Sequence, residues 1–150
     1  MKAIELIQYL GHDIEDQAFL EFLAQHHFST KKFPKKGRGP IQGAKWMFPN
    51  SNLHGVAFCF GFENAGLNLE GIAFYKPESN GIDSVYKIDY PFGLHLNQKI
   101  DSYERILGDP IGWIEPQFHD YYYKKYGVTI YFDPKDLDKK IKEIEISIKR

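Results

Sequence analysis

The sequence predicts an α+β domain in which an antiparallel β-sheet is covered on one face by helices. Three observations predict it. Aromatic and β-branched runs separated by Asn, Pro and Gly recur from residue 45 onward, as a strand meander requires. Three segments carry apolar residues at three-four spacing, the pattern of helices with one buried stripe. The last run sets Ile144, Ile146 and Ile148 against Glu143, Glu145 and Ser147, so one face of that strand meets a core.

The elements follow in order. Ala3, Ile4, Ile7 and Leu10 predict a short helix over residues 2–9 that stops at Gly11, where a missing Cβ permits a left-handed cap. Asp13, with Asp16 three positions on, is expected to cap a second helix through Phe19, Phe22, Leu23 and His26. Residues 29–43 turn to Lys, Pro and Gly and predict an exposed basic loop. Strand chemistry then runs over 45–48, 55–62 and 69–75, and a fourth alternating segment covers 82–90. Asn97 is expected to cap a helix that closes at Leu107 before Gly108 and Pro110. Strands over 118–126, 127–132 and 141–148 complete the chain, with a charged turn at 133–138.

A length of 150 residues suits a single globular domain, 1–150, which buries about two-thirds of its unfolded surface. Nineteen Lys and Arg face 20 Asp and Glu, so no global field recruits nucleic acid or an acidic membrane. Cys59 is the one cysteine and lies in an apolar run, which points to a reducing compartment. Glu5 interrupts the N-terminal apolar stretch that a signal peptide needs. A cytoplasmic address and no membrane partner are expected.

The order of elements also admits an internal duplication, with subrepeats over 1–90 and 91–150. Gly55-Val56-Ala57-Phe58-Cys59-Phe60 aligns with Gly127-Val128-Thr129-Ile130-Tyr131-Phe132. Leu69, Ile72 and Phe74 then fall on Ile141, Ile144 and Ile146 at the same offset. Leu10-Gly11-His12 corresponds to Leu107-Gly108-Asp109 at a different offset, which would make the second helix and the basic loop an insertion in the first half.

Pro91-Phe92-Gly93-Leu94, Ser102 to Pro110, Tyr123 to Phe132 and Ile141 to Ile148 carry a helix, an "LGxP" turn, a tyrosine-rich strand and a "GVxIxF" strand. This pattern resembles small bacterial immunity proteins. It also resembles the repeats of the β-lactamase-inhibitor-protein-like fold, shared with a small outer-membrane assembly lipoprotein. The likeness covers roughly the last 60 residues well and the first 90 loosely. It implies helices packed on an antiparallel sheet and an inhibitor that binds a cognate toxin or effector. The chain is expected to lack the signal peptide and lipobox cysteine of the lipoprotein members, which favours the cytosolic immunity branch, and no functional residue transfers.

Motifs for chemistry are sparse. Adjacent helical residues such as His26 and His27 point about 100° apart and do not share one metal, and no His-x3-His or Cys-x2-Cys spacing occurs. No Gly-x-Ser-x-Gly turn is present, and Gly37 and Gly39 do not open a helix after a strand. The expectation is a binding protein without cofactor or metal, rather than an enzyme. Glu143 and Glu145 share a face and could form a carboxylate pair, although charges on the wet face of a final strand are ordinary.

Two features point to a partner surface. Trp113, in what reads as a loop between helix and strand, joins Phe118, Tyr121, Tyr122, Tyr123 and Tyr126 as an aromatic group of the kind enriched at binding hot spots. Alternation sends Tyr121 and Tyr123 to one face and Tyr122 to the other. Lys35, Lys36 and Arg38, within the basic stretch 31–38, offer a handle for an acidic protein surface. The preferred function is therefore an immunity-type inhibitor that occludes a cognate toxin or effector. The alternatives are a nucleic-acid-associated protein using the basic stretch, which overall charge disfavours, and a small enzyme.

Overall fold

In a computed structural model of the chain, the residues described are 1–34, 45–51, 55–63, 66–76, 88–114 and 117–148. They form an α+β structure around one antiparallel sheet. The strands are β1 (Lys45–Ser51), β2 (Val56–Glu63), β3 (Gly66–Tyr75), β4 (Gly112–Ile114), β5 (Phe118–Tyr123), β6 (Tyr126–Phe132) and β7 (Ile141–Ile148). Their order across the sheet is β1-β2-β3-β7-β6-β5-β4. First-half strands thus occupy one side, second-half strands the other, and β3 meets β7 in the middle.

Alternation sorts the side chains. Val56, Phe58, Phe60, Leu69, Ile72, Phe74, Val128, Ile130, Ile144 and Ile146 are buried and share a face that we call the core face. Helical residues pack into the same cluster. Helix α1 (Ala3–Leu6) brings Ala3 and Leu6, α2 (Gln17–Gln25) brings Phe19 and Leu23, and α3 (Ile100–Leu107) brings Tyr103 and Leu107. Phe58 is the hub of the first half: the rings of Phe19, Phe28 and Phe33 all meet it edge-on, at 6.0, 5.7 and 5.6 Å. In the second half Tyr103 meets Tyr121 edge-on at 6.2 Å, and its hydroxyl donates to the Lys139 carbonyl at 2.9 Å.

The two halves repeat one another closely. Val56↔Phe74, Phe58↔Ile72 and Phe60↔Leu69 recur as Val128↔Ile146, Ile130↔Ile144 and Phe132↔Ile141, each residue 72 positions on. Even the register slip recurs, between Cys59 and Phe60 and again between Tyr131 and Phe132. Between β3 and β7, Ile72↔Ile146 is matched by Phe74↔Ile144, and Ala73 faces its own counterpart, Glu145. An approximate two-fold axis therefore runs through the Ala73–Glu145 pair.

Symmetry also corrects the helix correspondence. Gly11 donates to the Leu69 carbonyl and Leu69 to that of His12; Asn97 donates to Ile141 and Ile141 to Gln98. Gly11 is thus the counterpart of Asn97, not of Gly108, and α2 is the counterpart of α3 rather than part of an insertion. Both residues hold positive φ, +90° and +67°. That backbone geometry, rather than helix capping, is what Asn97 supplies, since Lys99 precedes α3 and makes no side-chain cap.

Other boundaries move by small amounts. Asp16, not Asp13, caps α2, accepting from the Phe19 amide at 3.0 Å, while Asp13 closes a turn onto Glu15. The first helix is one α-turn followed by a 3-10 turn over Ile7–Tyr9. Lys124 at φ +56° breaks the expected 118–126 strand, so Tyr126 belongs to β6. Most of the alternating segment 82–90 lies outside the described residues. At its end Asp89 bridges Lys2.

The Phe58 hub gives a direct stability test. Phe58→Ala is expected to cost about 3–5 kcal/mol by urea unfolding, the range for truncating a fully buried ring. A loss below about 1 kcal/mol would show that the first-half core is not organised around it.

Candidate functional site

The face opposite the core face differs sharply between halves. On the second-half side three rows of residues cross the strands. Phe118, Tyr131, Glu143 and Tyr75 form one row; Gly112, Asp120, Thr129, Glu145 and Ala73 a second; Tyr122, Gly127, Ser147 and Gly71 a third. Cross-strand neighbours on one face lie close enough for direct contact. Thr129 donates to Asp120 at 2.6 Å, Tyr131 donates to Glu145 at 3.4 Å, and the Phe118 and Tyr131 rings are 5.4 Å apart. Phe118, Asp120, Thr129, Tyr131, Glu143 and Glu145 are all half-buried.

Three carboxylates surround one phenol. Burial, then the charges of Glu145, Glu143 and Asp120, push the Tyr131 hydroxyl up to about 12. Burial, reinforced by Glu145 and opposed by Lys142, raises the Glu143 carboxyl above its ordinary value of 4.5. An array of acceptors with aromatic faces beside it can bind ammonium or guanidinium groups. Beside it a groove of about 480 Å³ is lined by Tyr75, Gln117, Tyr131, Pro134, Lys142 and Glu143. Glu143 at its edge is a candidate proton donor or acceptor for the enzyme reading.

The aromatic residues singled out in the sequence do not form one surface. Tyr121 is fully buried, so it leaves the partner surface and belongs to the core. Its hydroxyl reaches Glu104 at 3.4 Å and lies 3.5 Å from the ring of the buried His119. Tyr123 and Tyr126 are half-buried, with rings 4.9 and 5.9 Å from Phe92. Trp113 and Tyr122 are exposed, at 60% and 48%, yet they face opposite ways. Trp113 pairs with His119 on the core face, at the sheet edge, whereas Tyr122 pairs with Gly127 on the other face. Nor is Trp113 in a loop: it sits in β4, whose three residues are too short to show a period in the sequence. Lys35, Lys36 and Arg38 lie outside the described residues.

Asp120, Thr129 and Tyr131 were missed because each is unremarkable within its own strand. Only the cross-strand register brings them beside Glu143 and Glu145, whose shared face the alternation did show. Among the described residues, no group of three or more His, Cys, Asp or Glu side chains is placed to hold a metal ion. His26 is the C-cap of α2, with its ring 4.5 Å from that of Phe22. No helix among the described residues is long and apolar enough to cross a membrane.

No protein-family model matches the chain, and no curated protein or solved structure is significantly similar to it. The likeness to immunity proteins therefore rests on the sequence motifs alone.

The raised groups predict how stability changes with pH. In the folded state both favour their protonated forms, so each contributes stability at low pH and loses it as pH rises through the elevated value. For Tyr131 that loss falls between pH 10 and about 12. Tyr131→Phe is expected to flatten the decline of urea-unfolding stability across that window and to remove a late component from the tyrosinate absorbance titration. Burial also raises Tyr90, so a late component of reduced size remains. An unchanged titration in Tyr131→Phe would contradict the burial of this phenol.

Proposed function

We propose that this chain is a stoichiometric inhibitor of the immunity type, which occludes the working surface of a cognate toxin or effector with the outer face of its second half. The observation that carries the reading is the Tyr131 cluster. Large aromatic and ionisable side chains are held together there by cross-strand contacts, half-exposed, on a sheet whose other face supplies the core. Such a face is rigid before binding, which lowers the ordering cost of forming a complex. The exposed ring of Tyr122, at one end of the face, adds the area and polar tip common in hot spots. The sequence likeness supplies the class of partner. Overall charge near neutrality and an acidic face both count against the nucleic-acid alternative.

Co-expression with the protein encoded by the neighbouring reading frame tests the proposal. A one-to-one complex in which that protein's activity is lost is the expected result. Tyr122→Ala is expected to weaken the complex at least ten-fold, about 1.4 kcal/mol, while moving Tm by no more than about 3 °C. Trp113→Ala, on the opposite face, is expected to change affinity less than about three-fold. The reverse order of effects would move the interface to the edge at β4.

A further inference from the structure

A second groove, of about 370 Å³, opens where the start of β7 meets the residues around Asn97. Its floor is apolar, built from buried Ile141 and half-buried Leu96. Lys76, Lys140 and Lys142 stand exposed around it. The register between β6 and β7 explains why Lys142 is there. Tyr131 pairs with Glu143 and Phe132 with Ile141, so Lys142 is the extra residue of a bulge, which re-aims a side chain out of the strand's alternation. Asn97, at φ +67°, donates its backbone amide to the Ile141 carbonyl at 2.8 Å, which fixes it on the rim.

The charges around the groove do not cancel. Asp133 accepts from the Lys135 amide at 2.9 Å; Asp136 accepts from the amides of Asp138 and Lys140, at 3.0 and 3.1 Å, and pairs with the Lys140 ammonium at 4.0 Å. Both carboxylates are thus engaged in holding the 133–138 turn. Lys142 bears on the Glu143 carboxylate through its charge, but neither it nor Lys76 forms an ion pair with any described residue. Two cations beside an apolar floor suit an anion that brings an apolar body. In the first half the related space is filled. Gly11 is the counterpart of Asn97, and Ile148, 72 positions on, is that of Lys76; a Cβ on Gly11 would lie 3.4 Å from the Ile148 side chain. The chain fills one of the two related spaces with an apolar side chain of its own and leaves the other open.

We infer that this groove binds a small phosphate monoester with an apolar body, its phosphate taken by Lys76 and Lys142 and its body lying over Leu96 and Ile141. Two unpaired ammonium groups match the roughly double negative charge of such a phosphate at neutral pH, where a carboxylate brings a single charge. The inference goes beyond the inhibitor reading and does not depend on it.

Phenyl phosphate, added to the full chain at low salt and about pH 7.5 and followed by amide chemical shifts, tests it. Saturation at about millimolar concentration is expected, with shifts centred on Leu96, Asn97, Ile141 and Lys142. Inorganic phosphate, which lacks the body, and benzoate, which lacks the second charge, are each expected to bind at least about three-fold more weakly. Lys76→Gln combined with Lys142→Gln is expected to weaken phenyl phosphate at least about ten-fold, with Tm moved by no more than about 3 °C. Lys76→Gln alone, outside the strands, is expected to weaken it at least about three-fold and decides the matter should the double variant fail to fold. Shifts centred on other lysines such as Lys124 and Lys125, no saturation by about 10 mM, equal binding of benzoate or inorganic phosphate, or full affinity in Lys76→Gln would each overturn the inference.

Discussion

Pairing of β3 with β7 is the constraint on which the rest of the structure depends. The first half is a three-stranded meander and the second a four-stranded one, each with an apolar face, and β3 and β7 join the halves into one sheet. The joint is short, from Gly71↔Ser147 to Tyr75↔Glu143. It aligns Ile72, Phe74, Ile144 and Ile146 into one buried block, and a slip of one residue would turn one strand's pair to the face opposite the other's. Beyond the joint, each strand's free edge is taken by the segment that leads into a helix, residues 11–14 on β3 and 97–100 near the start of β7. Those hydrogen bonds tie α2 and α3 to the same central pair.

The same pairing positions the candidate site. Glu145 lies on the two-fold axis opposite Ala73, a side chain that leaves room beside it. From there the polar residues spread over β6 and β5, reached through register alone. Gly127 contributes by lacking a side chain: a Cβ there would come within 2.8 Å of the Ser147 hydroxyl. The outer face therefore owes its shape to backbone pairing, and its chemistry to substitutions that leave the core face of the two halves alike.

Much of this was legible in the sequence, for a physical reason. Period-two alternation survives in strands that bury one face, so β2, β3, β6 and β7 and their repeat could be aligned from Val56 and Val128 onward. The helix correspondence was not legible, because Gly11 and Asn97 share a backbone conformation and not a residue type. Matching Leu10-Gly11 with Leu107-Gly108 followed letters where the structure follows hydrogen bonds. Nor could alternation tell which of Tyr121 and Tyr122 faces inward; that depended on which face α3 joins through Tyr103. The strand that holds Trp113 is hidden in the sequence because three edge residues between Pro110 and Pro116 show no period.

The proposed function places the partner on the outer face of the second half rather than on the charged turn 133–138. Carbodiimide labelling of carboxyl groups, read by mass spectrometry with and without the co-purified partner, tests it most directly. Protection of Asp120, Glu143 and Glu145, with unchanged labelling of Asp133, Asp136 and Asp138, is the predicted result. Protection confined to the 133–138 turn, with the outer face still labelled in the complex, would contradict the account.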